Sequence, residues 1–82
     1  MLELIDVIKC IPDNTNISIF KRVITNENQT GTWEAVIVNE VWSHVMYRIP
    51  KEVLHLEVDS IRTKSIYYQP VLIIDVNEDL RE

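Results

Sequence analysis

Two hydrophobic periods follow one another in the first quarter of the chain. Advancing 100° per residue, Met1, Leu4, Ile5, Ile8 and Ile11 share one stripe, while Glu3, Asp6 and Lys9 fall elsewhere. This predicts an amphipathic helix. Pro12 has no N–H to continue the ladder and pushes Ile11 out of the helical region, so the helix is expected to stop there. Asp13, Asn14 and Thr15 can hydrogen-bond their own backbone and turn it. From Asn16 to Ile24 the period becomes two. Ile17, Ile19, Lys21 and Val23 form one row, and Ser18, Phe20, Arg22 and Ile24 the other. Both rows are partly apolar, so one face should meet the helix and the other should be half covered.

Residues 25–31 are the most polar run and include the one glycine of the chain, which reads as a hairpin loop. A strand over residues 32–40 follows, with Trp33, Ala35 and Ile37 on one face and Glu34, Val36 and Val38 on the other. It should pair antiparallel with the first strand. Residues 39–49 fit two patterns. Ser43 can cap a helix carrying Val45, Met46 and Ile49, yet Val41, Ser43, Val45, Tyr47 and Ile49 also alternate as a strand. The reading adopted is a strand ending near Trp42, then a short helix. Pro50 is suited to open another helical turn through Leu54. A third strand is expected over residues 57–64, with Val58 and Ile61 inward after a small irregularity. A fourth is expected over residues 67–76, with residues 71–74 deep in the sheet. Pro70 cannot donate to a ladder and marks a bulge or the true start of that strand. Residues 77–82 read as a polar, acidic tail that frays.

The fold class that follows is α+β. It is a small, mixed, mainly antiparallel sheet of about four strands with an N-terminal helix packed on it, in the order α-β-β-α-β-β. The 82 residues form one domain, since the chain is too short for two cores. A hydrophobic content of 46% with 26% charged residues suits a globular domain and argues against wholesale disorder. The net charge of −5 matters more. An acidic chain is repelled by phosphate backbones and anionic lipid heads, which disfavours nucleic acid and membrane as partners. Cys10 is the single cysteine, so no intrachain disulfide forms, and a reducing compartment fits. The acidic start lacks the basic, uninterrupted apolar pattern of a signal peptide, and no run approaches the roughly 20 apolar residues that span a bilayer. A cytoplasmic location is expected.

Candidate chemistry is sparse. With a single glycine, neither a phosphate-cradling loop nor a dinucleotide fingerprint can be written, and no nucleophile elbow occurs. Cys10, His44 and His55 match no compact zinc spacing, although His44 and His55 could be joined by Glu57 or Asp59 if the fold gathered them. The expectation is no metal and no cofactor. Cys10 reads as a small residue at the edge of the core rather than a nucleophile. Glu57 and Asp59, two apart on a strand, should share a face, which a solvated surface explains as well as acid–base work does. No enzyme is expected.

Aromatic residues offer a different prospect. Trp33, Trp42, Tyr47, Tyr67, Tyr68 and Phe20 are few, but several fall on strands. Tyr67 and Tyr68, being adjacent, should point to opposite faces. Basic residues are scattered, with Lys21 and Arg22 on one strand and Arg62 and Lys64 on another, so base stacking on a positive sheet is the weaker reading. Core packing and a protein contact surface are the stronger readings, the surface being made by Trp42, Tyr47 and Tyr68 and bordered by acidic residues.

The opening block, with Ile11-Pro12-Asp13-Asn14-Thr15-Asn16-Ile17-Ser18-Ile19-Phe20 at its heart, resembles small proteins carried by bacteriophages and prophages of Firmicutes. Leu54-His55-Leu56-Glu57-Val58-Asp59-Ser60-Ile61 is similar to a second block of those proteins. Together the blocks cover about a third of the chain and hold structural motifs, with no catalytic residue to transfer. The stretch 40–49, with Trp42 and Tyr47, departs from the pattern. The resemblance implies a phage context, in which such a chain would bind a protein partner, as an inhibitor of a host protein or defence system. The alternative is an assembly protein closing a homodimer, and the third is a nucleic-acid binder using Lys21, Arg22, Arg62 and Lys64.

Overall fold

A computed structural model describes residues 2–24 and 31–79. Along the chain run α1 (Leu4–Ile8), β1 (Asn16–Ile24), β2 (Gly31–Val41), α2 (Trp42–Val45), α3 (Lys51–Leu54), β3 (Glu57–Ile66) and β4 (Gln69–Asp79). The strands form one sheet in the order β2-β1-β4-β3. The outer pairs, β1 with β2 and β3 with β4, are antiparallel, and the central pair β1–β4 is parallel. The fold is thus α+β, with a mostly antiparallel four-stranded sheet and small helices, two of them between β2 and β3.

Residues paired across neighbouring strands share a face. Ile17 and Ile19 of β1, Ile37 of β2, and Ile74 and Val76 of β4 join Leu4, Trp42, Val45 and Val53 from the helices in one buried cluster. Each such Leu, Ile or Val side chain, fully buried, contributes roughly 1.5–3 kcal/mol. Helices therefore cover one face of the sheet.

The first helix is shorter than its hydrophobic stripe. Residues 2–3 are not helical, because they pair with the start of β3. Val58 N–H donates to the Leu2 carbonyl at 2.8 Å, Leu4 N–H donates to the Leu56 carbonyl at 3.0 Å, and Glu3 bridges Glu57. The Asp6 carboxylate then accepts the Glu3 N–H at 3.1 Å, closing the helix start. At the other end, Cys10 and Ile11 N–H groups reach back three residues to Val7 and Ile8, so the last turn tightens before Pro12. The stripe still does its packing: Leu4 and Ile11 are buried, and Val7 and Ile8 pack against the cluster. Met1 lies outside the described residues.

The turn after Pro12 has a second task. Carbonyls of Thr15 and Asp13 accept the N–H groups of Trp42 and Ser43 at 2.8 and 2.9 Å. They satisfy the orphan donors at the start of α2, so Val41 is its N-cap and Ser43, expected there, is not. Pro50 likewise sits just outside α3 as its N-cap.

The irregularity in β3 falls at Asp59, between the pairs Val58–Val76 and Ser60–Asp75. Val58 packs against the core, and Ile61, registered opposite the buried Ile74 on the same covered face, is still 46% exposed because β3 is an edge strand. Pro70 lies near the start of β4, before its pairing to β1 begins at Leu72, so its missing N–H interrupts no parallel ladder. Asn77, Glu78 and Asp79 are strand residues paired with Arg22, Val23 and Ile24, where fraying had been expected. The polar loop at 25–30 and the tail at 80–82 lie outside the described residues.

Lys21 continues the covered face toward its rim, where its Nζ lies 2.9 Å from Glu78 and 3.5 Å from Glu34. The Glu78 hydrogen bond, only partly opposed by desolvation, raises the lysine pKa above its ordinary 10.5. The stabilisation is complete below 10.5 and is lost as pH climbs through the raised value. Thermal melts from pH 9 to 12 should show this decline, and Lys21→Met should flatten it. An undiminished alkaline slope in that variant would assign the decline to other groups.

Candidate protein-interaction surface

The second face of the sheet carries no helix among the described residues. Across it runs a row set by register: Ala35 and Trp33 on β2, Phe20 on β1, Asp75 on β4, Ser60 and Arg62 on β3. Phe20 stands directly opposite both Ala35 and Asp75, with Trp33 one step along β2. Trp33 is 53% exposed and Val38 55%, whereas Asp75 is 5% exposed. Phe20, Trp33, Arg62 and Asp75 line an open cleft of about 300 Å³.

Asp75 is the anomaly in this row. Its Oδ2 accepts the Ser60 hydroxyl at 2.7 Å and lies 3.4 Å from the Arg62 guanidinium. Its Oδ1 is buried with no hydrogen-bond partner among the described residues. Nothing in alternation or spacing marked Asp75, since its role depends on pairing between the two ends of the chain. The nearby buried Ser18 is better satisfied: its Oγ accepts the N–H of Asn39, a left-handed residue at φ 46°.

The three expected contact residues part company. Trp42 is 4% exposed and belongs to the core, so its side chain is not on the surface proposed for it. The register places it just after β2, where the chain turns back over the covered face. Tyr47 is 91% exposed in the segment between α2 and α3, and Tyr68 is wholly exposed. Neither lines the Asp75 cleft. Nor do they line a second one of about 640 Å³ at the sheet end, bounded by Asn14, Thr15, Asn16, Val41, Thr63 and residues 69–72.

Tyr67 and Tyr68 are not strand residues on opposite faces. Ile66 pairs with Gln69, leaving the two tyrosines as the centre of a two-residue turn, with φ of 50° and 65°. Left-handed backbone costs a residue with a Cβ about 1–2 kcal/mol, and Asn-Gly is the relaxed choice for such a turn. Sequence patterning missed it because the usual turn residues are absent.

Charged side chains do not assemble into one basic patch. Lys21 lies on the covered face between two carboxylates, while Arg22, Arg62 and Lys64 belong to the other. Asp59 sits at the bulge and its Oδ1 accepts from Asn77 Nδ2 at 3.3 Å, Asn77 being the residue registered opposite Glu57. His55 Nδ1 lies 3.4 Å from Glu3 Oε1, and His44 is exposed on α2. Cys10 is exposed rather than at a core boundary. Among the described residues no three His, Cys, Asp or Glu side chains gather as a metal site, and no helix is long and apolar enough to cross a membrane. Comparison with protein-family models, curated proteins and solved structures finds no match to this chain.

Proposed function

We propose that this chain is a non-enzymatic protein-binding module of phage or mobile-element origin, acting by occupying a surface of a host protein. The Tyr67–Tyr68 turn carries this reading. Two aromatic side chains, 90% and 101% exposed, are held at positions where both backbones are strained. Neither contributes packing that would offset the strain, and large rigid aromatics are the residues most enriched at binding hot spots. The strain is explained if these rings are anchors for a partner. Tyr47, 91% exposed, extends the same kind of surface on the helical side.

The test sets stability against binding. Tyr67→Asn with Tyr68→Gly should raise the melting temperature by several degrees, through roughly 2 kcal/mol of relieved strain. The same double variant should lose host proteins that the immobilised parent retains from lysate. A variant that melts higher and retains the same proteins would overturn the reading.

One observation favours a second reading, self-assembly. The outer edges of β2 and, beyond its bridge to Glu3, β3 have no neighbouring strand among the described residues. Edge-to-edge pairing of two copies would extend the sheet. Light scattering on a size-exclusion column separates the two readings: a mass equal to one chain at every concentration removes self-assembly.

A further inference from the structure

A carboxylate on a central strand, with its side chain 7% exposed, ordinarily has donors for both oxygens. Asp75 has donors for one. The Arg62 guanidinium is itself 60% exposed and stands 3.4 Å from Oδ2, looser than the 2.7–2.9 Å of a tight charge-assisted contact. Phe20 and Trp33 supply aromatic walls beside this half-satisfied anion. A carboxylate flanked by aromatic rings is the chemistry that recognises a cationic side chain, through ion pairing and attraction to the ring faces.

We infer that the cleft between Phe20, Trp33, Arg62 and Asp75 receives one arginine or lysine side chain of a basic partner protein, with Arg62 occupying the place of that cation in the unbound chain. The inference rests on the protein-binding reading for the source of the cation. Charge selects this occupant. An anion would meet the Asp75 carboxylate, whereas a guanidinium or ammonium brings donors to it, in competition with Arg62 and with Arg22 and Lys64 on the same face. The volume, about 300 Å³, is at the lower end for ligand cavities and suits one long side chain better than a whole small molecule. Arg62 and Trp33, each more than half exposed, can turn aside without disturbing the core.

The experiment is a titration with hexa-arginine and hexa-lysine peptides at low salt, followed by NMR of the two tryptophan indole N–H groups. Trp33 should shift and the buried Trp42 should not. Asp75→Asn should weaken binding about tenfold, while Glu52→Gln, the same charge change at an exposed helix position, should weaken it less than about twofold. Arg62→Ala removes the resident competitor and should tighten binding more than Lys64→Ala, the same charge change on the same face. The inference is overturned if Asp75→Asn is no worse than Glu52→Gln, or if Arg62→Ala gains no more than Lys64→Ala. Spermidine binding as tightly as the peptides would overturn a protein source for the cation. Should Asp75→Asn fail to fold, Trp33→Ala and the arginine–lysine pair of variants still decide. A silent titration removes the receptor only, because the Tyr67–Tyr68 assay does not involve this cleft.

Discussion

Trp42→Ala is expected to remove most of the stability of this domain. The indole is 4% exposed and packs in the cluster that holds Val45, Ile49, Ile37 and the central strands. Tryptophan-to-alanine changes in such a setting cost about 3–5 kcal/mol through lost burial and the cavity left behind. A domain of this size has about 5 kcal/mol in total. The backbone N–H of residue 42, which alanine keeps, is anchored on the Thr15 carbonyl and joins the turn after α1 to the end of β2, so the loss is that of the indole alone. Trp42→Phe, which keeps most of the apolar volume, should fold with a lower melting point. Trp33→Ala, at an exposed site on the uncovered face, should change stability by no more than about 0.5 kcal/mol. Far-UV circular dichroism melts of the three variants check the ranking. A Trp42→Ala protein melting within a few degrees of the parent would contradict the placement of this side chain in the core.

Gly31→Ala should also be clearly damaging, although it adds only a methyl group. A Cβ at this position would lie 1.8 Å from the carbonyl oxygen of Val23 and 2.7 Å from its carbon. Both are backbone atoms of the neighbouring strand, so no side chain can swing away to make room. β1 and β2 would have to separate at the pair Ile24–Gly31, and the cost should reach about 2 kcal/mol or more, at the upper part of the range for overpacking. The expected observation is a clear drop in the urea midpoint with an unchanged slope. Amides of Val23 and Thr32 should also exchange faster. An unaltered midpoint would mean that the strands do not approach so closely. The glycine is needed here for close backbone contact rather than for a turn.

The residues that could be read from the sequence are those whose reasons are local. A helix ahead of Pro12 is legible, although α1 ends at Ile8 rather than at Ile11, Pro50 precedes α3, and the alternation through Ile17 and Ile19 marks β1 as a strand. The β1–β2 pairing and the irregularity after Val58 also came from period two and its interruption. What could not be read depends on distant partners. Leu2 and Glu3 look helical until β3 offers them a ladder. Asn77 to Asp79 look like a loose acidic end until β1 runs alongside. Trp42 fits a surface aromatic or a core one equally well, and only the fold over α2 decides. Asp75 was invisible as a site residue because its neighbours Phe20, Arg62 and Ser60 come from two other strands.

Joining Ile17 to Leu72 at the centre of the sheet has a consequence for synthesis. The strand made first must wait for the strand made last, holding its hydrophobic row without its inner neighbour while the ribosome works through everything between them. Contacts this far apart in sequence favour slow closure, milliseconds or longer rather than microseconds. During that interval the nascent β1–β2 hairpin is exposed to chaperones and to other unfinished copies.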